Sequence, residues 1–212
     1  MLAQLNYPVA QSIQRQNRLS EVQLQNIAHK ITVKVVLEQA MGSGVLIHRQ
    51  EDFTHTVVTN AHVLRPGISV YKVQTSDGLI HEAQWIESYR FQGDDLAILQ
   101  FRSPEVGYEV ALLKPAFTFL ARDAEVFAGG YPLLTNQSTL SEFVFKSGKV
   151  SVLLHQRMEG GYQVGYSIDI SQGMSGGPLN LSQLYPLVII NTIAVDISGF
   201  SHRLLYSFRG DW

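Results

Sequence analysis

KITVKVVLE, from Lys30 to Glu38, sets the texture of the chain: Ile31, Val33, Val35 and Leu37 alternate with Thr32, Lys34, Val36 and Glu38. A period of two places successive side chains on opposite faces of an extended chain, so the segment reads as a β-strand. Downstream, strands are expected at Gly44–His48, Thr56–Thr59, Ile68–Thr75, Leu79–Glu87, Leu96–Arg102, Glu125–Ala128, Gly148–Leu154, Tyr162–Ser167 and Ile189–Ile197. Turn-forming clusters separate many of them, among them Arg65-Pro66-Gly67, Ser76-Asp77-Gly78, Gly129-Gly130-Tyr131-Pro132 and Glu159-Gly160-Gly161. Many short strands with such punctuation predict an all-β barrel or sandwich.

Upstream of this texture, residues 1–19 are rich in Gln and Asn and weakly patterned. Ser20-Glu21-Val22-Gln23 fits a capping box, in which hydroxyl and amide each satisfy a free N–H, and it starts a short helix from about Glu21 to Ala28. Near the middle, Ser103–Arg122 carries two prolines and breaks the strand rhythm, as a linker between two β halves would.

Composition narrows the function classes. Sixteen basic against 18 acidic residues give a net charge of -2, without the basic excess that a nucleic-acid surface needs. A 45% hydrophobic content excludes intrinsic disorder. With no cysteine there is no disulfide framework, thiolate metal site or cysteine nucleophile, and the redox compartment stays open. No HExxH or paired-His spacing occurs, so neither metal nor other cofactor is expected. The most apolar stretch, Leu184 to Val195, is 12 residues long, short of the ~20 a membrane span requires. The N-terminus lacks the basic and apolar regions of a secretory signal. The expectation is a soluble chain, cytoplasmic as it stands and periplasmic or secreted if a signal precedes it, of undetermined oligomeric state.

Three places could carry chemistry. Gly173-Met174-Ser175-Gly176-Gly177-Pro178 sets a serine among glycines, which permits a tight turn that exposes Oγ and aims backbone N–H groups inward. An acyl-transfer site needs that pairing of nucleophile and oxyanion hole, with the amides of Gly173 and Ser175 as donors; a solvated Gly-rich turn is the plainer alternative. Of the seven histidines, His62 stands apart because it follows the apolar run Thr56–Thr59, a rigid place from which to hold an imidazole. Asp94-Asp95 directly precedes the apolar Leu96–Leu99, where a carboxylate is poised to fix an imidazole tautomer or merely to cap a strand.

Taken in the order His62, Asp95, Ser175, the runs TVVTNAHVL, DDLAILQF and GMSGGPL resemble the three active-site blocks of trypsin-like serine peptidases of the chymotrypsin fold. The Gly42-Ser43-Gly44 before the His strand and Gly130-Tyr131-Pro132 are similar to the bacterial HtrA/Deg branch and related cyanobacterial trypsin-like domains, here without a PDZ region. The resemblance covers about Ile27 to Leu179. It implies two antiparallel six-stranded barrels, the first over about 29–105 and the second over about 122–212, preceded by a leader, 1–28, with the short helix. It implies His62 as general base, Asp95 as its orienter because the family's acid immediately precedes a Leu-Ala pair, and Ser175 as nucleophile. The implied activity is serine endopeptidase on polypeptide substrates; the alternative is a non-catalytic peptide-binding or scaffold module that keeps the fold.

Three departures from the family pattern bear on specificity. Met174 stands where relatives carry Asp or Asn, so assembly of the oxyanion hole by a newly cut N-terminus is not expected. Asp169, six residues before Ser175, occupies the offset at which trypsin-type members select Lys or Arg. After Leu179 the register of the family's pocket-lining strand is lost, so the substrate wall departs from the family pattern.

Overall fold

Ser20 opens the helix as its sequence dictates. Its Oγ accepts from the Gln23 amide at 3.3 Å while its own amide donates to Gln23 Oε1 at 2.9 Å. In the computed structural model, which describes residues 19–37, 41–68, 70–86, 91, 93–111, 120–133, 141–181, 189–190 and 203–206, this helix, α1, runs Glu21–Ile31. It therefore extends three residues past the expected end at Ala28 and takes Ile31 from the strand. The reason is a second periodicity: Leu24, Ala28 and Ile31 form one buried stripe, and Thr32 Oγ1 closes the last turn by donating to Ala28 O at 2.5 Å.

Six strands then follow: β1 (Thr32–Val36), β2 (Met41–Arg49), β3 (Thr54–Thr59), β4 (Val70–Gln74), β5 (Ile80–Trp85) and β6 (Ala97–Arg102). They close into an antiparallel barrel in the order β1-β2-β3-β6-β5-β4, so no strand is left with a free edge. Val33, Val35, Leu46, Val57, Leu99 and Phe101 fill it.

The other half is a six-stranded sheet, ordered β11-β10-β7-β8-β9-β12. Its strands are β7 (Glu125–Gly130), β8 (Val144–Leu153), β9 (Tyr162–Tyr166), β10 (Pro178–Leu181), β11 (Ile189–Ile190) and β12 (Arg203–Tyr206). The sheet curls into a half-barrel whose outer strands β11 and β12 approach each other, around a core that includes Val126, Val150, Val164, Tyr166 and Leu179. The mostly-β, two-part architecture agrees with the expected fold class. Strands β10 and β12 were not anticipated. Residues 191–197 of the expected last strand lie outside the described residues. Among the described residues, no helix is long and apolar enough to cross a membrane.

Candidate active site

Strand pairing brings His62 and Asp95 together. Thr59, the last residue of β3, lies opposite Ala97, the first of β6, so the residues just beyond one strand and just before the other share one end of the barrel. His62 sits on a single 3₁₀ turn, Ala61–Val63, closed by Val63 N donating to Asn60 O at 3.1 Å. Val63 and Leu64 are buried beside it and hold the turn, while the His62 side chain stays 47% exposed.

His62 and Tyr162 converge on the Asp95 carboxylate. Its Oδ2 accepts from His62 Nδ1 at 2.6 Å and from the Tyr162 hydroxyl at 2.5 Å, and its Oδ1 accepts from the His62 amide at 2.9 Å. A carboxylate has only acceptors to offer, so Nδ1 carries the proton and Nε2 is left as the imidazole's acceptor. Burial pushes the Asp95 carboxyl up, but the His62 and Tyr162 hydrogen bonds, the His62 charge and the His62 amide outweigh it and hold it below the usual carboxylate range. Its backbone is pinned as well: Asn60 Nδ2 donates to Asp95 O at 2.8 Å, and Asp95 N donates to Gly160 O at 2.9 Å. The neighbouring Asp94 instead faces Arg157, 3.5 Å from its Nη1. The two adjacent acids thus face different partners.

The Ser175 turn comes from the other half of the molecule and is clasped by Ser43 of β2. Ser43 N donates to Ser175 O at 2.7 Å, Ser43 Oγ donates to Gly173 O at 2.9 Å, and Ser43 O accepts from Thr59 Oγ1 at 2.7 Å. Gly173 and Gly176 have φ of 91° and 85°, in the left-handed region where a side chain is strained. A Cβ on Gly176 would also overlap Ser43 O and Thr59 Oγ1, so this glycine lets the turn press against the barrel three residues before His62. Met174 is fully buried in the second core.

Within this turn the amides of Gly173 and Ser175 donate to no acceptor among the described residues, whereas Met174 N donates to Ser171 O and Gly177 N to Met174 O. Ser175 Oγ is buried and makes no hydrogen bond among the described residues. His62 is therefore joined to Asp95, while its link to the Ser175 hydroxyl is open. Asp169 lies at the surface, its side chain 87% exposed, with Lys146 Nζ at 3.9 Å from the carboxylate and donating to Asp169 O at 2.7 Å. A charge so exposed acts through water and is heavily screened.

Sequence reading missed Tyr162, Asn60 and the clasp made by the Ser43 side chain. Asn60 adjoins the His62 block and could have been found from the strand-end logic. Tyr162 lies 67 positions from Asp95 with no local signature.

Comparison with known proteins adds two findings. A family model described as the trypsin-like peptidase domain matches residues 42–183. In fold, the chain is similar to the crystal structure of Deg5, with a TM-score of 0.67 and 22% sequence identity over 89% of this chain and 91% of that one. No curated protein gives a significant sequence match.

Proposed function

The chain belongs to the trypsin-like peptidase family, and from that premise we propose that it is a serine endopeptidase in which Ser175 is the nucleophile, His62 the general base and Asp95 its orienter. The observation that carries this reading is the Asp95 carboxylate bonded to His62 Nδ1 at 2.6 Å, since it leaves Nε2 as a base. In the reaction Nε2 takes the Ser175 proton as Oγ attacks the scissile carbonyl. The tetrahedral oxyanion is received by the unengaged amides of Gly173 and Ser175, donors of a kind worth roughly 10²–10³ in rate each. His62 then protonates the leaving amine, and a water activated by the same nitrogen hydrolyses the acyl-enzyme.

The Ser175 hydroxyl must turn toward Nε2 for this to begin. The imidazole is half-exposed and the hydroxyl has no competing partner among the described residues, and catalytic hydrogen bonds commonly tighten only once substrate is bound. The same open link favours a second reading, a peptide-binding module that does no chemistry. Labelling with a fluorophosphonate probe separates the two: stoichiometric labelling of the wild type, lost in Ser175→Ala, is expected. Folded wild-type protein that stays unlabelled sinks the peptidase reading.

Tyr162 acts on this site through Asp95 and is a positioning residue. Tyr162→Phe removes a hydrogen bond to a charged acceptor, a loss of about 1.5–3 kcal/mol in stability. We expect kcat to fall roughly tenfold with KM unchanged, since the imidazole is less well held in the transition state. The stability loss follows pH. A carboxyl held below its unfolded value stabilises the fold above the ordinary carboxylate pKa of about 3.9 and ceases to do so as pH falls through the folded value. The gap in Tm between wild type and Tyr162→Phe should be widest near neutrality and shrink in acid; a pH-independent gap would count against this role. Asp169, exposed beside Lys146, is assigned no more than a screened contact with a basic substrate side chain.

A further inference from the structure

Lys34, on β1, is 5% exposed. Its ammonium makes no ion pair or hydrogen bond among the described residues; its one partner is the ring of Tyr131, with Nζ 5.0 Å from the centroid. Burial lowers its pKa, the mark of a charge taken from water without a counter-ion. A cation–π contact compensates part of that cost, whereas an apolar side chain of the same length would avoid it.

This lysine lines a cavity of about 430 Å³ between α1, β1, the β4–β5 turn and the segment around Tyr131 and Phe143. His62, Asp95 and Ser175 do not line it. The amides of Gln25 and Asn26, the Ser76 hydroxyl and the Gln74 N–H not given to Gly78 O add hydrogen-bond donors, whereas the Thr75 hydroxyl is committed to Asp77 and Leu79 O; Tyr131 and Phe143, with rings in edge contact at 5.6 Å, add an aromatic wall. Glu142 also lines the cavity, at an exposed position and unpaired with Lys34.

We propose that this cavity is a carboxylate-binding site, with the anion seated on Lys34 Nζ and the body of the ligand against Tyr131 and Phe143. Lys34 is the one permanent cation of the lining; His29, whose pKa burial lowers, adds a neutral imidazole beside Phe143, and this set suits a singly charged, two-oxygen anion. A phosphate dianion would call for a second cation and would meet Glu142. The carboxylate belongs either to a small organic acid or to the C terminus of a polypeptide, and the two are separable by experiment.

Calorimetric titration of the full chain with 3-phenylpropionate should give saturable binding, with 3-phenylpropanamide at least about tenfold weaker because it lacks the charge. In the wild type, amide resonances of Thr75, Tyr131 and Phe143 should shift with the acid. Lys34→Met, which keeps the stem and removes the charge, should bind the acid at least about tenfold more weakly while melting no lower than wild type. Acetyl-Ala-Ala-Phe with a free carboxylate, titrated into Ser175→Ala to prevent turnover, reads the source. Affinity about tenfold above that of 3-phenylpropionate identifies a polypeptide C terminus, and equal affinity a free organic acid; either outcome supports the site. Absence of binding, equal binding of acid and amide, tighter binding of inorganic phosphate, shifts confined to other residues, or undiminished binding by folded Lys34→Met would overturn it.

Discussion

Ser175→Ala is expected to lower kcat on an extended peptide substrate by a factor on the order of 10⁵–10⁶ and to leave KM within about threefold. The asymmetry follows from where the hydroxyl sits. Ser175 is 3% exposed inside a turn whose shape is set by two left-handed glycines and by the main chain and hydroxyl of Ser43, none of which uses the Ser175 Oγ. Removing Oγ therefore breaks no hydrogen bond among the described residues and relieves a buried hydroxyl that has no partner there, so thermal stability should hold or rise by about 1 kcal/mol. A serine kept for structure would show the reverse, with a lower Tm and little kinetic effect. Activity within about tenfold of wild type in the folded variant would remove Ser175 from the nucleophile's role.

Such a division of labour explains which parts of the molecule were readable in its amino acids. Period-two runs locate β1 to β9 to within a few residues because each strand's apolar alternation is local. The helix start is equally local, since Ser20 and Gln23 satisfy each other within one turn. Its end is not: Ile31 fits both an apolar alternation and an i, i+3 stripe, and burial of the Leu24–Ala28–Ile31 face decides in favour of helix. Strand β10 begins at a proline and spans four residues, Pro178–Leu181, too short to carry an alternation; it exists because β7 and β11 flank it.

The candidate site divides along the same line. The pairing of Thr59 with Ala97 makes His62 and Asp95 neighbours through sheet register, which strand order can anticipate. Beyond the place of Asp95 directly before Leu96-Ala97, Asp94 and Asp95 differ in what faces them, Arg157 for one and His62 with Tyr162 for the other. That distinction arises where the two halves of the molecule meet. So do the clasp of Ser43 on the Ser175 turn and the hydroxyl of Tyr162 on Asp95, made across 130 and 67 positions of chain. Residues that act by joining distant segments leave no spacing to read.

Asp95→Asn should cost about 10⁴ in kcat, with a stability loss of about 1–3 kcal/mol at neutral pH. Three donors converge on this side chain: His62 Nδ1–H and the Tyr162 hydroxyl on Oδ2, and the His62 amide on Oδ1. A carboxylate accepts all three. An asparagine must place its NH₂ where one oxygen stood, and either orientation sets an N–H against a donor. With the NH₂ at the Oδ2 position, the tension is relieved by moving the imidazole proton from Nδ1 to Nε2, whereupon the nitrogen needed by Ser175 becomes a donor and can no longer take its proton. With the NH₂ at Oδ1, the amide of His62 loses its acceptor and the 3₁₀ turn that carries the ring loosens. Both arrangements attack the base and spare the binding surface, so KM should stay near wild type. The pH dependence gives an independent check. Wild-type Asp95, held below its ordinary value, contributes stability at neutral pH that is lost as pH falls through its folded pKa, whereas Asn has no such contribution to lose. The two melting temperatures should therefore converge in acid. A parallel pair of Tm–pH curves, or a kcat within about tenfold of wild type, would show that Asp95 does not hold the imidazole for catalysis.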